Sequence, residues 1–312
     1  MVDILCAGQL VADILVRPVD RVDFGTDTQR VQTIDLANGG DALNAAIGLA
    51  RLGARVAFAG KVGRDHWGDF LSGVIDRAGI DHRGLTRTDQ AGTAAVIVLI
   101  NGEGDRTFLY RGGANDLFSI DDIDPRIVDE ALFVHVGGTF LLPRFDGRGA
   151  AALFQRAQAA GKTTSMDVTW DTSGRWLPVI AECLPHLSWF LPSVNEARRI
   201  TGRQSPEDMA RFLRERGVQN VVIKLGAEGC YVLPKGAEGF VVEAFPVQPV
   251  DTTGAGDAFV AGFLTGLLRG WDARGSARLG CAVAALNIRA VGATAGIPTF
   301  DEAMHFMERG AV

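Results

Sequence analysis

The sequence predicts an α/β fold with a mostly parallel central sheet, because short apolar runs alternate with longer amphipathic stretches along its 312 residues. The apolar runs have the length of buried strands, and the stretches between them repeat their apolar residues at a helical period. Such alternation is typical of βαβ units, in which helices flank the sheet. We expect one continuous domain over residues 1–312, since 47% of the residues are hydrophobic and no linker or repeat interrupts the pattern.

Six apolar runs are predicted as strands of the central sheet: Val2–Ala7, Arg55–Ala59, Leu132–Val136, Thr163–Val168, Leu187–Leu191 and Asn220–Leu225. Amphipathic stretches between them are predicted as helices, among them Ala42–Leu52, Gly147–Ala160 and Pro206–Arg216. In a sheet of this kind, ligands bind outside the carboxyl ends of the strands. We therefore look for functional residues in the segments that follow strands.

Two regions depart from this rhythm, because their strand-like runs have no helix between them. Asp13–Leu36 is one region, and Thr93–Arg111 is the other. In the second, Ala94–Ile100 and Thr107–Tyr110 flank a turn sequence that contains two glycines. We interpret these regions as a small extra β-sheet that forms a lid or an oligomer contact. Ordinary edge strands of the main sheet are the alternative.

Charge and cysteine content exclude several classes of function. The formal net charge is −6 and no basic run occurs, so nucleic acid is not an expected partner. No apolar run is long enough to cross a bilayer, and no secretion signal is recognised at the N-terminus. The four cysteines are scattered without a CxxC pair, which gives no support for a zinc or redox motif. We expect a cytoplasmic protein that does not bind membranes.

The strongest functional motif is the segment Asp251–Asp257, with the sequence DTTGAGD. A strand-like segment, Phe240–Val247, precedes it, and an apolar helix, Ala258–Leu268, follows it. A glycine-rich turn that opens a helix offers free N–H groups and the positive end of the helix dipole to an anion. The N–H groups of Gly254, Ala255 and Gly256 are therefore the candidate anion hole, and the Asp257 carboxylate is the candidate base. A tight turn with a helix-stabilising aspartate is the alternative.

A second motif, NGGDALN, begins at Asn38 and lies between a strand-like run and a helix. Its two glycines permit unusual backbone angles, and Asn44 can donate hydrogen bonds to hydroxyls and accept them. The alternative is a helix cap in which Asp41 does the capping. Asp13 follows the first strand, where a carboxylate can bind vicinal hydroxyls, or it is simply a surface residue in a turn.

Taken together, these motifs resemble the ribokinase-like, or PfkB, family of carbohydrate kinases over essentially the whole chain. DTTGAGD is similar to the C-terminal signature of that family, and NGGDALNAA is similar to its N-terminal glycine-glycine signature. The segments GKVGRD, from Gly60 to Asp65, and VGAT, from Val291 to Thr294, also resemble the family. The resemblance implies a ribokinase-like fold in which a small β-sheet lid covers the site.

The resemblance also implies roles for individual residues. Asp257 would be the catalytic base and Gly254–Gly256 the anion hole. Substrate hydroxyls would contact Asp13, Gly39, Gly40 and Asn44. ATP would lie against Lys224, Gly226 and Gly229 and near Ser193, which replaces the asparagine usual in the family. Glu196 keeps an acidic position that is associated with hydrated Mg²⁺.

Members of this family often use a monovalent cation beside the anion hole. The matching positions here are Asp251, Thr253, Ala290 and Gly292, so the resemblance implies a possible K⁺ site. The lid also forms dimers in many members, which implies a homodimer.

The acceptor is less well defined by the sequence. Arg111 stands where kinases of sugar acids place a carboxylate-binding arginine, but Asp171 stands where many of those enzymes carry another arginine. We therefore predict ATP-dependent phosphorylation of a hydroxyl on a small sugar or sugar acid. An adenosine or nucleoside kinase of the same fold is an alternative, with Phe24, Phe108 and Tyr110 as the available aromatic side chains. A non-catalytic sugar-binding regulator is a second alternative.

Overall fold

A computed structural model describes residues 2–309 of the chain. In chain order, its strands are β1 (Val2–Gly8), β2 (Val11–Arg17), β3 (Thr33–Gly39), β4 (Val56–Gly63), β5 (Asp81–Thr88), β6 (Ala95–Ile100), β7 (Arg106–Arg111), β8 (Ala131–Thr139), β9 (Thr163–Val168), β10 (Trp189–Phe190), β11 (Asn220–Lys224), β12 (Cys230–Leu233) and β13 (Phe240–Val242). Residues 1 and 310–312, which we expected to belong to the same domain, lie outside the described residues.

The helices alternate with the strands of the central sheet, as the sequence predicts. They are α1 (Asp41–Arg51), α2 (His66–Arg77), α3 (Pro125–Glu130), α4 (Arg148–Ala159), α5 (Leu177–Ile180), α6 (Val194–Thr201), α7 (Pro206–Arg214), α8 (Ala255–Leu268), α9 (Ala273–Asn287) and α10 (Phe300–Arg309). Within residues 2–309, no helix is both long and apolar enough to span a bilayer.

The central sheet has nine strands in the order β13-β12-β11-β10-β9-β8-β1-β4-β5. The seven strands from β11 to β5 in this order are parallel to their neighbours, and only β12 pairs antiparallel with β11 and β13. Parallel strands need helical crossovers, so helices cover both faces of the sheet. The predicted α/β fold with a mostly parallel sheet is confirmed.

Two hydrophobic cores lie on opposite faces of this sheet. In β1, Leu5 and Ala7 belong to one core, while Ile4 and Cys6 belong to the other. The alternation follows from the two-residue period of a strand. Helices α3 to α7 pack in the first core, and α1, α2 and α8 to α10 pack in the second.

A separate four-stranded sheet has the order β3-β2-β6-β7. Its outer pairs, β2–β3 and β6–β7, are antiparallel hairpin partners, whereas β2 and β6 pair in parallel. This small sheet comes from the two regions in which the sequence predicts strands without helices between them. The strands begin and end slightly beyond those regions, since β2 starts at Val11 and β3 continues to Gly39.

Two predicted strands of the central sheet are shorter in the structure. The segment Phe240–Val247 forms a strand only as far as Val242, and Pro246 in the irregular remainder has no N–H for a sheet ladder. The run Leu187–Leu191 forms ladder pairs only at Trp189 and Phe190, just ahead of Pro192. In these segments the apolar side chains remain buried beyond the residues that pair in the sheet. The apolar pattern therefore predicts burial and not the length of the strand.

Helices α8 and α9 approach each other closely through glycines, as the small residues at Gly262 and Gly266 suggest in the sequence. A Cβ atom at Gly262 would lie 2.8 Å from the carbonyl oxygen of Leu279 and 2.9 Å from Cα of Gly280. Such distances are below van der Waals contact, so any larger residue must push the helices apart. The N-terminal turn of α8 carries the DTTGAGD motif, so this packing fixes the position of that turn.

We predict that Gly262→Ala lowers the free energy of unfolding by roughly 1–3 kcal/mol, because the added methyl overpacks the α8–α9 contact. The matched control is Gly73→Ala on α2, where the new Cβ would meet only the end of the flexible Arg77 side chain, at 3.2 Å. The control should gain roughly 0.5–1 kcal/mol from helix propensity. Urea unfolding of both variants checks the prediction, and equal changes in the two would contradict it.

Candidate active site

The candidate active site is built where α1 and α8 begin, and a close helix contact brings these two turns together. A Cβ atom at Gly48 would lie 2.6 Å from Cβ of Ala261, so α1 and α8 touch nearly backbone to backbone. Asn44 lies one turn before Gly48, and Asp257 lies one turn before Ala261. As a result, Nδ2 of Asn44 donates to Oδ2 of Asp257 at 2.9 Å.

Asp257 is a fully buried carboxylate whose surroundings change its pKa. Burial raises its pKa well above the usual range, and the negative charge of Asp41 adds to the increase, while the hydrogen bond from Asn44 lowers the pKa. A carboxylate with a raised pKa accepts a proton more readily near neutral pH. Its environment is therefore suited to a general base.

A chain of amides supports the Asn44–Asp257 hydrogen bond. Nδ2 of Asn38 donates to Oδ1 of Asn44 at 3.0 Å and approaches Oγ1 of Thr294 at 3.4 Å. The bond to Asn38 orients the Asn44 amide so that its N–H group points at Asp257. Asn38 itself was assigned no role from the sequence, although its place at the start of NGGDALN was the available signal.

The first turn of α8 follows a backbone conformation that requires glycine. Gly254 precedes the helix with φ 71° and ψ 7°, and a Cβ atom there would lie 2.2 Å from the carbonyl oxygen of Ala293. Since α8 begins at Ala255, the first N–H groups of the helix have no intrahelical acceptor. They lie at the positive end of the helix dipole, which makes this turn an anion-binding site.

Lys224 adds a positive charge to the same place. Its Nζ atom lies 3.3 Å from the position that a Cβ on Gly256 would occupy, and it forms a buried ion pair with Asp167. Burial alone would lower the pKa of Lys224, but the charges of Asp167 and Glu196 outweigh burial, so the pKa is raised. The ammonium group is therefore charged at neutral pH, beside the candidate anion hole. Sequence analysis missed the pairing with Asp167.

A second group of predicted residues forms a polar wall next to Asp257. A Cβ atom at Gly39 would lie 2.2 Å from both carboxylate oxygens of Asp13, and one at Gly40 would lie 2.7 Å from the carbonyl oxygen of Gln9. Both glycines are thus needed for close approach to β2. Burial, followed by the charge of Asp41, raises the pKa of Asp13 to about 7. The structure therefore places Asp13, Gly39 and Gly40 beside the helix that carries Asn44.

The alternative role of Asp41 as a helix cap is not found. Gly40, with φ 92°, is the residue before α1, and no side chain caps the helix there. Asp41 instead lies among the acidic side chains that surround Lys224. Burial and the negative charge of Glu196 raise its pKa to about 6.

Two side chains that sequence analysis did not assign to the hydroxyl site extend the polar wall. Nε2 of Gln9 lies 3.4 Å from the phenol oxygen of Tyr110, and Nδ2 of Asn115 donates to the Leu10 carbonyl at 3.0 Å. Oδ1 of Asn115 is buried and has no hydrogen-bond partner among the described residues. A buried acceptor of this kind is suited to a hydroxyl donor.

Arg111 is not brought together with the other candidate residues. Tyr110 pairs with Val96, which pairs with Asp13, so Tyr110 and Asp13 share one face of the small sheet. Arg111 is the next residue of β7 and therefore points to the opposite face. Its Nη1 atom lies 3.3 Å from the position of a Cβ on Gly92. Strand alternation thus places Arg111 on the face away from Asp13, and its expected carboxylate contact stays a prediction.

A cavity of about 360 Å³ adjoins the first turn of α8, and Asp13 is not among the residues that line it. Its polar end contains Lys224 and Gly256, and its floor contains Gly226 and Gly229. The remaining walls are mainly apolar and include Phe245, Pro246, Val247, Phe259, Ala285 and Ile288. A narrow apolar cavity that ends at an anion site has the form expected for a purine nucleotide. Ser193 pairs with Lys224 at the strand ends, but it does not line this cavity.

Glu196 has a structural role as well as a place in the acidic group. Its carboxylate accepts from the Ser193 N–H at 2.7 Å, and Oγ of Ser193 accepts from the Glu196 N–H at 3.4 Å, which together form a capping box for α6. Glu196 therefore stabilises the start of α6. Its negative charge also acts on Asp41, Asp167 and Lys224.

Comparison with known proteins identifies the family of this chain. The model of the pfkB family carbohydrate kinases matches residues 1–300. The chain belongs to the pfkB family. It is therefore a sugar kinase, in a family whose members use ATP.

Relatives of this pfkB kinase cover nearly its whole length. It is 29% identical over 288 residues to 2-dehydro-3-deoxygluconokinase of Bacillus subtilis, covering 89% of this chain and 88% of the relative. It is 32% identical over 253 residues to an uncharacterised sugar kinase of Archaeoglobus fulgidus, covering 81% and 98%. The structure of Arabidopsis thaliana ribokinase complexed with ribose and ATP has the same fold, with a TM-score of 0.85, 24% identity and coverage of 98% and 99%.

We predict that Asn44→Ala moves the acid limb of the pH–kcat/KM profile of this pfkB kinase to higher pH. The base must be ionised, so the rate falls as the pH drops through the raised pKa of Asp257. Loss of the Asn44 N–H removes a bond that favours the carboxylate, and the pKa rises further. Gln158→Ala, on the exposed side of α4, is the control. A lower rate with an unmoved acid limb would mean that Asn44 only binds substrate.

Proposed function

We propose that this kinase transfers the γ-phosphoryl group of ATP to a hydroxyl of a small sugar or sugar acid, with Asp257 as the general base. One observation carries the proposal. The buried carboxylate of Asp257 lies in the first turn of α8, where it accepts from Asn44 and directly follows Gly256, which lines the cavity that contains Lys224. An acceptor hydroxyl on one side and a phosphoryl group on the other would meet at this carboxylate.

In the proposed reaction, Asp257 accepts the proton of the acceptor hydroxyl as the hydroxyl oxygen bonds to the γ-phosphorus. The bond between the γ-phosphorus and the β,γ-bridging oxygen breaks, and ADP leaves with that electron pair. The N–H groups of Gly254, Ala255 and Gly256 form the anion hole that stabilises charge on the transferred group. Lys224 adds a full positive charge close to Gly256. The protein thus contributes mainly position and electrostatic stabilisation, which phosphoryl transfer requires most.

Mg²⁺ would be held mostly by the nucleotide. Among residues 2–309 no cluster of three or more His, Cys, Asp or Glu side chains could hold a metal. Mg²⁺ usually keeps several waters and binds through few carboxylates plus substrate phosphates, so such a cluster is not required. We propose that Glu196 contacts the hydrated ion, whose bound form offsets charge on the phosphates. Gly226 and Gly229 would line the nucleotide, with Ser193 at the strand end next to Lys224.

The acceptor class follows from the polar wall. Asp13, Asn44 and the orphan oxygen of Asn115 can bind hydroxyls, and Gly39 and Gly40 allow the acceptor to approach the backbone. One relative is a kinase of a sugar acid. Since Arg111 points to the opposite face of the small sheet, neutral sugars suit this wall as well as acids do. Phe108 is exposed on the site face, so a nucleoside remains the alternative acceptor, and faster turnover of a nucleoside than of any sugar would support it.

A coupled ADP-release assay with MgATP tests the function on pentoses, hexoses, ketoses, aldonic acids, keto-deoxy acids and nucleosides. With the best acceptor, Asp257→Asn should lower kcat roughly 10²–10⁴-fold, because the general base is lost. Its affinity for ATP, measured by calorimetry, should stay close to that of the wild type.

The matched control is Asp272→Asn at the start of α9, where Asn also caps a helix. A wild-type rate in Asp257→Asn would remove Asp257 from the mechanism. If no acceptor caused ADP release while ATP still bound, a sugar-binding regulator would be favoured.

We also propose that the small sheet is a lid whose outer face forms a homodimer. Four large apolar side chains on the face opposite Asp13, namely Ile34, Leu36, Ile97 and Leu109, are each between 40% and 67% exposed. An apolar patch of this kind on a sheet marks an interaction site. A second copy of the same face, related by a two-fold axis, would cover these side chains.

We predict that light scattering after size exclusion gives the wild type a mass near twice that of one chain. The double variant Leu36→Glu/Ile97→Glu should give the mass of one chain, because it buries charge in the proposed interface. Val241→Glu on β13 is the control for an exposed apolar residue elsewhere, and it should keep the wild-type mass. A monomeric wild type at every concentration would exclude this dimer.

A further inference from the structure

Arg106 joins the small sheet to the DTTGAGD loop across the candidate active site. It is the first residue of β7 and lies on the same face as Phe108 and Tyr110. Its Nη1 atom is 2.9 Å from Oδ1 of Asp251, and its Nη2 atom is 3.4 Å from Oγ1 of Thr252. The Arg106 and Asp251 side chains are only 21% and 14% exposed, so solvent screens this ion pair weakly.

The Asp251 carboxylate is fully engaged by donors from the protein. Oδ1 accepts from the N–H and the hydroxyl of Thr253 at 2.9 and 2.7 Å, in addition to Arg106. Oδ2 accepts from the N–H of Gly292 at 2.9 Å. Asp251 therefore ties together the two loops that flank Gly254, one before α8 and one after α9.

Two of the residues expected to hold K⁺, Asp251 and Thr253, consequently have oxygens directed at N–H groups. Asp251 faces Arg106 and Gly292, as above. Nδ2 of Asn287 is 2.9 Å from the Ala293 carbonyl and 3.5 Å from that of Thr253. A hard cation needs several oxygens that converge on it, free of other partners. With Arg106 in place, Asp251 and Thr253 thus already have partners at the K⁺ site that the family resemblance implies, and the guanidinium occupies the side of Asp251 where a cation would lie.

We propose that the Arg106 guanidinium takes the place of a monovalent cation at Asp251, so that the small sheet orders the anion hole when it lies over the site. The inference rests on the proposed function. A carboxylate this close to the anion hole would repel the transferred phosphoryl group unless a positive charge neutralised it. The planar guanidinium neutralises Asp251 and also reaches Thr252, which a single ammonium group does less well. Arg106 is then a positioning residue that acts through Asp251.

The test measures turnover with the best acceptor in KCl, NaCl and tetramethylammonium chloride at equal ionic strength. The wild type should have the same kcat in all three salts. Arg106→Ala should lose up to roughly 10²-fold in kcat in tetramethylammonium chloride, because the anion hole loses its alignment. KCl or a low concentration of guanidinium chloride should restore part of the loss, and Arg106→Lys should lie between the two proteins.

The matched control is Arg17→Ala in the same sheet. Arg17 lies 3.8 Å from Asp35, and both side chains are well exposed, so its pair lies away from the anion hole. This variant should keep the wild-type kcat and its indifference to the salt. Strong activation of the wild type by K⁺, with the same activation in Arg106→Ala, would overturn the proposal. The proposal would also be overturned if Arg106→Ala kept the wild-type kcat in all three salts, as Arg17→Ala should.

A measurement without an acceptor separates this proposal from the proposed function. The melting temperature and the MgATP affinity of each protein are determined in the same three salts. The wild type should show no preference among the cations, whereas Arg106→Ala should be stabilised by K⁺ over tetramethylammonium. This result would support the role of Arg106 even if no acceptor were phosphorylated. Conversely, specific stabilisation of the wild type by K⁺ would refute the replacement of the cation by Arg106, even if the protein were an active kinase.

Discussion

The close contact between α1 and α8 is the constraint on which the candidate active site depends. Gly48 lets the two helices meet at Ala261, and the turns one step nearer their N-termini then place Asn44 against Asp257. Without that approach, the hydroxyl-binding motif and the phosphoryl-binding motif would be separate features at separate strand ends. The second hydrophobic core holds both helices on one face of the central sheet, so the distance between the motifs is set by apolar packing.

Electrostatics organise the site around one buried lysine. Asp41, Asp167, Glu196 and Asp257 all lie close enough to Lys224 to affect its charge or to be affected by it. Burial first, and then the negative charge of neighbouring acids, raises the pKa of Asp41, Asp167 and Asp257. Four acids around one ammonium group are an excess of acidic side chains. That excess is compatible with a site that binds its nucleotide together with a divalent cation. Burial of the acids therefore serves the proposed chemistry rather than the stability of the fold.

Much of the fold could be read from the sequence, because apolar periodicity reports burial directly. Val2–Ala7 and Thr163–Val168 form strands as predicted, and the two helix-free regions form the small sheet. Strand β5 was missed because its sequence, DHRGLTRT, is polar, as an edge strand permits. Strand β12 at the antiparallel edge was also missed, because no strand–helix alternation marks it, whereas β13 lies within the predicted strand-like segment Phe240–Val247. The local sequence pattern therefore does not predict strands that depend on their position at the edge of the sheet.

The candidate site residues also divide into those that the sequence predicts and those that it does not. Asp257, Asn44, Asp13 and Gly39 belong to motifs, and the structure brings them together. The Arg106–Asp251 and Asp167–Lys224 pairs join segments far apart in the chain, so no local signal could predict them. The direction of Arg111 depends on strand register, which a motif does not contain.

The parallel pairing of β2 with β6 also bears on the order of folding. Ala12 pairs with Ala95, and the chain between them forms β3, α1, β4, α2 and β5, so this ladder closes a long loop. Closing a long loop costs entropy before any contact compensates for it, whereas the β2–β3 and β6–β7 hairpins are local. The two hairpins can therefore form early, but they can join only after the intervening strands have docked on β1. The sheet that covers the site is then a late product of folding, completed when the site beneath it already exists.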